Sequence, residues 1–275
     1  MTPMFAVHRG WVLTTAGLIT LFGAVYAGRR YFPFLASDLV TTYLFGLLGL
    51  LVILFLANYA SRKYIFLWFG GLLRLWLLAH IYLALVAALL ILLHARFSFQ
   101  GGWSAFTAGL LGAVLLAGFI GLGIYTAIPR VLADFESILL PDEILTAIDG
   151  IQGELQGLVD GRGEAFTRLA QREAEVRQEL ELPTWRLLFL KSQRSRYAGA
   201  RLAELEALME AVPERDRELV DQLARLILKK RKLEAQLLEQ RRWAVIRRGW
   251  LVSHATLSAG FLAATAIHIL SVLYY

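Results

Sequence analysis

Residues 80–94, HIYLALVAALLILLH, carry no charged side chain and sit inside a longer apolar stretch over residues 74–95. That stretch is long enough to cross a lipid bilayer. Hydrocarbon offers no water to the peptide groups, so the segment must satisfy them internally, and an unbroken apolar run of this length does so as a helix. Two histidines bracket the run. His80 and His94 are fourteen residues apart, just under four helical turns, so both imidazoles leave one face about 21 Å apart along the axis. The other end of the chain repeats the arrangement: HATLSAGFLAATAIH runs from His254 to His268 with the same spacing. Four of the five histidines fall in these two matched pairs.

Five apolar runs predict five spans, over residues 11–28, 39–60, 74–95, 105–128 and 250–275. The first also has the basic-then-apolar pattern of a signal peptide and is read as a retained helix. SRKY, residues 61–64, reads as a short basic loop after the second span. The fourth carries Gly109, Gly112, Gly118, Gly121 and Gly123. Glycines there either let helices approach closely or make room for a flat ligand, and the sequence leaves both readings open.

Between the fourth and fifth spans the character changes. Residues 130–248 are rich in Glu, Arg, Leu, Ala and Gln, the composition of long solvated helices. Pro141, Gly161, Gly163, Pro183 and Pro213 mark expected breaks. Leu219, Leu223, Leu226, Leu233 and Leu237 follow steps of four and three, with Lys230 at the skipped position. This is a coiled-coil-like seam. WRLLFL at residues 185–190 reads as core, with a partner or membrane-surface contact as the other reading. No proline follows Pro213, so the last polar helix can run straight into the fifth span, with Gly249 as the one place for a kink. The expected fold is therefore all-α: an integral membrane bundle of five spans, with a cytoplasmic helical hairpin inserted before the last. Its divisions are residues 1–129, 130–248 and 249–275.

Five spans put the termini on opposite sides. The flank QRRWAVIRRGW before the last span is strongly basic, which places the charged domain and the N-terminus in the cytoplasm and the C-terminus outside. Arg29 and Arg30 pull mildly the other way. The net charge of +6 is then a membrane-protein charge and no sign of nucleic-acid binding. On this topology the third and fifth spans run in the same direction. Arg74-x-Trp76-x-x-x-His80 matches Arg248-x-Trp250-x-x-x-His254 in spacing. Trp suits the headgroup level and Arg the water beyond it, so His80 and His254 lie at one depth and His94 and His268 at another. Arg9-Gly10-Trp11 repeats the entry without a histidine pair, which separates anchoring from the histidine requirement. His8 reads as an ordinary interfacial residue.

Matched depths allow one planar ring to be clamped between His80 and His254 and a second between His94 and His268. The chain contains no cysteine, which excludes thiolate-held clusters and thioether-attached haem and leaves a non-covalent cofactor. The reading is two b haems with bis-histidine ligation. A lone intramembrane histidine is as readily a hydrogen-bonding residue or proton relay; two pairs of equal spacing on parallel spans are harder to explain that way. Histidines fourteen apart cannot share one ion, and no acidic residue lies beside them in the spans. Arg74 and Arg248 near the inner pair and Arg96 near the outer one read either as propionate partners or as membrane-edge anchors.

The two histidine pairs, the Arg-x-Trp entries and the glycine-rich fourth span resemble the di-haem b-type membrane cytochromes of the ferric reductase-like group, which includes the NADPH oxidases. The gamma subunits of respiratory nitrate reductases look similar in principle. The resemblance covers residues 74–129 and 250–275 and implies electron transfer between two stacked haems in a bacterial inner membrane. It departs where those proteins have six spans and continue into a flavin and nicotinamide module; no G-x-G-x-x-G follows a strand pattern here. The chain is therefore expected to be the cytochrome subunit of a larger redox assembly, with donor and acceptor supplied by partner proteins or by a quinol. The competing expectation is a haem-free scaffold or sensor whose cytoplasmic hairpin binds partners or pairs two copies.

Overall fold

A computed structural model describes residues 3–29, 31, 38–65, 73–99, 101–133, 139–161, 186–187 and 217–274. Among these residues all regular structure is helical. Six helices follow one another: α1 (Pro3–Gly28), α2 (Asp38–Ile65), α3 (Leu73–His94), α4 (Gly102–Leu132), α5 (Pro141–Val159) and α6 (Arg217–Tyr274). All except α5 contain a segment long and apolar enough to cross a membrane. Pro183, Pro213, Gly163 and most of residues 185–190 lie outside the described residues.

Three helices run further than hydropathy predicts. SRKY is the end of α2 and no loop, because its residues include strong helix formers and neither Gly nor Pro. The fall in hydropathy there marks where apolar surroundings stop, whereas the backbone bonding continues. α4 passes through Pro129 to Leu132, losing one backbone donor in its last turns. α6 is continuous for 58 residues through Gly249, since a single glycine weakens a helix without removing a hydrogen bond.

The chain divides into two compact units, Met1–Phe119 with Ser253–Tyr275, and Ile120–Val252. In the first, α3 is the most buried of the long apolar helices. It is apolar all round, as a helix surrounded by others must be. Phe45, Val86, Leu90 and Leu93 form one core with side chains of α1, including Phe22 and Tyr26. Ile53, Ala87 and Phe261 form another, which brings in Leu110, Leu111 and Val114 of α4. Gly46 and Gly49 let α2 close on α3: a Cβ at Gly49 would stand 2.9 Å from Ile91 Cδ1. The outer faces expose Leu13, Leu21, Leu47, Leu51, Leu116, Phe119, Leu270 and Leu273, more contiguous apolar surface than water-soluble proteins carry.

In the second unit, Ile144, Ile148, Ile151, Leu155 and Val159 recur at helical spacing on α5 and are buried against Leu219, Leu223, Ile227, Leu233, Leu237 and Leu238 of α6, with Leu187. Pro141 opens α5, where its missing N–H costs nothing, and Glu143 Oε2 accepts the Leu140 N–H at 2.8 Å. Gly161, at φ +74, follows its last turn, the conformation glycine adopts without strain. The α6 seam is thus used inside the chain. Leu226 is only partly buried and Ile227 takes its place in the core. Lys230, at the position the leucines skip, is 1% exposed and pairs with Glu234 at 3.5 Å. Leu237 is fully enclosed. Leu237→Ala is expected to cost about 2–5 kcal/mol, read as an earlier unfolding transition of the helical circular dichroism.

Candidate functional site

Each histidine of the two pairs is carried by a helix, so its position along the axis is set by register alone. The structure brings His80 of α3 to His254 of α6, ring centres 6.5 Å apart with planes at 73°. His94 meets His268 at 6.4 Å and 89°. The two pairs, fourteen residues apart on both helices, are separated by about 21 Å of helix.

The separation discriminates between two uses. Two imidazoles sharing a direct hydrogen bond would have ring centres about 5.2 Å apart, from an N···N distance of about 2.9 Å and about 1.15 Å from each nitrogen to its ring centre. Two imidazoles on opposite sides of one metal ion, each about 2.0 Å from it, would have centres about 6.3 Å apart. The observed distances match the second. The steep angles between the planes are compatible with that use, since an imidazole that held a metal could turn about its bond to it. Among the described residues no cluster of three acidic or histidine groups is placed to hold a metal ion by itself.

Helix α2 meets both α3 histidines. His94 Nδ1 donates to the Thr42 carbonyl at 2.8 Å, which leaves Nε2 with the free lone pair. A Cβ at Gly46 would stand 2.7 Å from that Nδ1. His80 Nδ1 completes no hydrogen bond among the described residues. The Tyr59 ring lies 5.1 Å from the His80 ring. On α6, Ser258 and Ser271 donate to the carbonyls of His254 and His268 at 2.8 and 2.7 Å, so each hydroxyl is satisfied within its own helix. Thr42, Gly46 and Tyr59 escaped the sequence reading. A backbone carbonyl has no residue-type signature; the available signal was an aromatic-then-small pair, Phe45-Gly46 and Tyr59-Ala60, spaced fourteen apart on α2 as the histidines are on α3.

The arginines part company. Arg96 lies in the turn after α3, where it and Phe97 both adopt positive φ, 52° and 57°. Such a conformation costs a residue with a Cβ about 1–2 kcal/mol. Opposing that cost, Arg96 Nε and Nη2 donate to Thr42 Oγ1 at 3.3 and 3.2 Å, so Thr42 holds His94 through its carbonyl and Arg96 through its hydroxyl. Arg248 is an exposed residue of α6. The Arg74 backbone belongs to α3, and its side chain lies outside the described residues. The matched tryptophans both find aromatic neighbours: Trp76 stacks on Phe55 at 5.4 Å, and Trp250 meets Tyr125 edge-on at 5.6 Å. His8, expected to be a plain interfacial residue, shares a 3.2 Å hydrogen bond with Tyr82.

Two of the five α4 glycines approach a side chain of α6. A side chain at Gly121 would overlap the Trp250 indole, and one at Gly118 would touch His254 Cε1 at 3.9 Å; Gly109, Gly112 and Gly123 have nothing within 4 Å. Gly121 therefore serves close helix packing and Gly118 flanks the inner pair. Gly121→Ala is expected to destabilise by about 1–3 kcal/mol through a displaced indole, whereas Gly123→Ala is expected to stabilise by about 0.5–1 kcal/mol. Thermal unfolding of the detergent-solubilised protein separates the two. No protein-family model, no curated protein and no solved structure matches this chain.

Proposed function

We propose that the chain is an integral membrane electron-transfer subunit that holds two b-type haems, one between His80 and His254 and the other between His94 and His268. The observation that carries this reading is the pair of facing imidazoles at nearly one separation, 6.5 and 6.4 Å, too wide for a direct bond and right for one intervening metal. The exposed leucines and phenylalanines of the long helices support a lipid surround. When bound, a haem supplies one-electron redox chemistry at its iron.

The chain's own residues would do the rest. His80 with His254, and His94 with His268, would each hold one haem, and a site engaged by two histidines would favour outer-sphere transfer over reaction of oxygen or substrate at the metal. Apolar helix segments flank the histidines, a lever on potential. The Thr42 carbonyl holds the proton of His94 on Nδ1. Arg96 provides a cation beside the outer pair for a propionate, with Arg74 and Arg248 proposed for the inner one. The basic flank before the last span supports a cytoplasmic charged domain, an outward C-terminus and a bacterial inner membrane as the site of action. Partner proteins or a quinol would supply and accept the electrons.

The scaffold reading drew on the Leu219–Leu237 seam. That seam is buried within the chain, so a partner or second copy would need another surface. The test is a dithionite-reduced minus oxidised spectrum with haem counted per purified chain. Two low-spin b haems are expected. His80→Ala and His254→Ala should each remove the same haem, and His94→Ala and His268→Ala the other. Folded protein made with haem available and found colourless overturns the proposal.

A further inference from the structure

We infer that α2 orients the outer α3 ligand through the backbone carbonyl of Thr42, and that Gly46 is the positioning residue that lets His94 reach it. This rests on the bis-histidine reading and extends it to a helix that carries no histidine.

The geometry at His94 leads there. A helix carbonyl has two lone pairs and spends one on the N–H four residues on. For Thr42 that N–H belongs to Gly46, and His94 Nδ1 takes the second lone pair at 2.8 Å. The imidazole thereby occupies the volume that a side chain at 46 would fill: an added Cβ would meet Nδ1 at 2.7 Å, Cε1 at 2.9 Å and Cγ at 3.4 Å. A neutral imidazole protonated at Nδ1 offers Nε2 to a metal, and a carbonyl accepting that proton makes Nε2 a stronger donor.

The same spacing recurs one period along. Leu56 is fourteen residues after Thr42, and His80 is fourteen before His94. Phe45 and Gly46 follow Thr42 at the offsets where Tyr59 and Ala60 follow Leu56. Helix α2 thus offers two carbonyls at the spacing of the two ligands on α3. At the outer position the hydrogen bond is complete, whereas His80 Nδ1 has no completed bond among the described residues.

The test compares the full-length wild type, Gly46→Ala and Gly49→Ala, each purified with haem. Gly49 also faces α3, but its added Cβ meets the flexible end of Ile91, so it controls for packing. Gly46→Ala should weaken retention of one haem by roughly 10–100-fold, the usual effect of losing a ligand's outer hydrogen bond, and raise the midpoint potential of any that remains in that site. The other haem should stay, and Gly49→Ala should keep both. Gly46→Ala with both haems, unchanged in retention and potential, overturns the inference, as does equal loss of both. Should Gly46→Ala not fold, ¹⁵N-histidine NMR of the reduced wild type decides. A slowly exchanging Nδ1–H on His94 supports the inference, and a proton on Nε2 overturns it. Wild type without haem instead overturns the bis-histidine reading, and the NMR arm still reports the Thr42 bond.

Discussion

Four imidazoles in otherwise apolar helices set the terms for the first unit. A polar ring buried without partners costs several kilocalories per mole on the harsher transfer scales, about 2–7 kcal/mol, so each must be answered by something close by. His94 is answered on one edge by the Thr42 carbonyl, and its ring stands 6.4 Å, centre to centre, from that of His268. The inner pair repeats the separation. The rest of the unit can be understood as keeping these distances. α3 is enclosed by α1 and α2, α4 contributes to the core around Phe261, and the close approach of α2 to α3 depends on Gly46 and Gly49.

The turn after α3 shows what that arrangement costs. Glycine would adopt its left-handed backbone without strain, yet Arg96 and Phe97 stand there at positive φ. Both have a neighbour that a glycine could not engage: Arg96 bonds the Thr42 hydroxyl, and the Phe97 ring meets Tyr26 at 6.1 Å. Thr42 is therefore a junction where the end of α3, the outer imidazole and a guanidinium converge on one residue of α2. Backbone strain beside a cluster of this kind is commonly retained where a site needs it.

The second unit obeys a different logic. Its core is an ordinary leucine and isoleucine interface between α5 and α6, interrupted by a Lys230–Glu234 pair sealed from solvent. Replacing such a pair with apolar residues is often neutral or stabilising, so its presence is weak evidence for stability and better read as fixing register. A coiled-coil-like pattern alone does not say whether its partner is another chain or another part of the same one. Here Ile144, Ile148, Ile151 and Leu155 supply the partner internally.

How much could be read in advance follows from the range of each interaction. Helix type, the number of long apolar segments and the shared face of His80 and His94 depend on residues within a few turns, and periodicity exposes them. The depth match of the two pairs was also legible, because Arg-x-Trp entries and equal spacing are local features that happen to occur twice. Helix ends were less so: hydropathy falls at SRKY and at Pro129 while the backbone ladder continues, since hydropathy reports surroundings and the ladder reports bonding. The sequence by itself determined which histidines share a helix face and at what height on their helices they stand. Only the tertiary structure decided which edge of His94 faces a carbonyl 52 residues away, which glycine makes room for it, and that the α6 seam closes on α5. Those depend on how helices distant in sequence approach one another, and a backbone carbonyl looks the same in every residue.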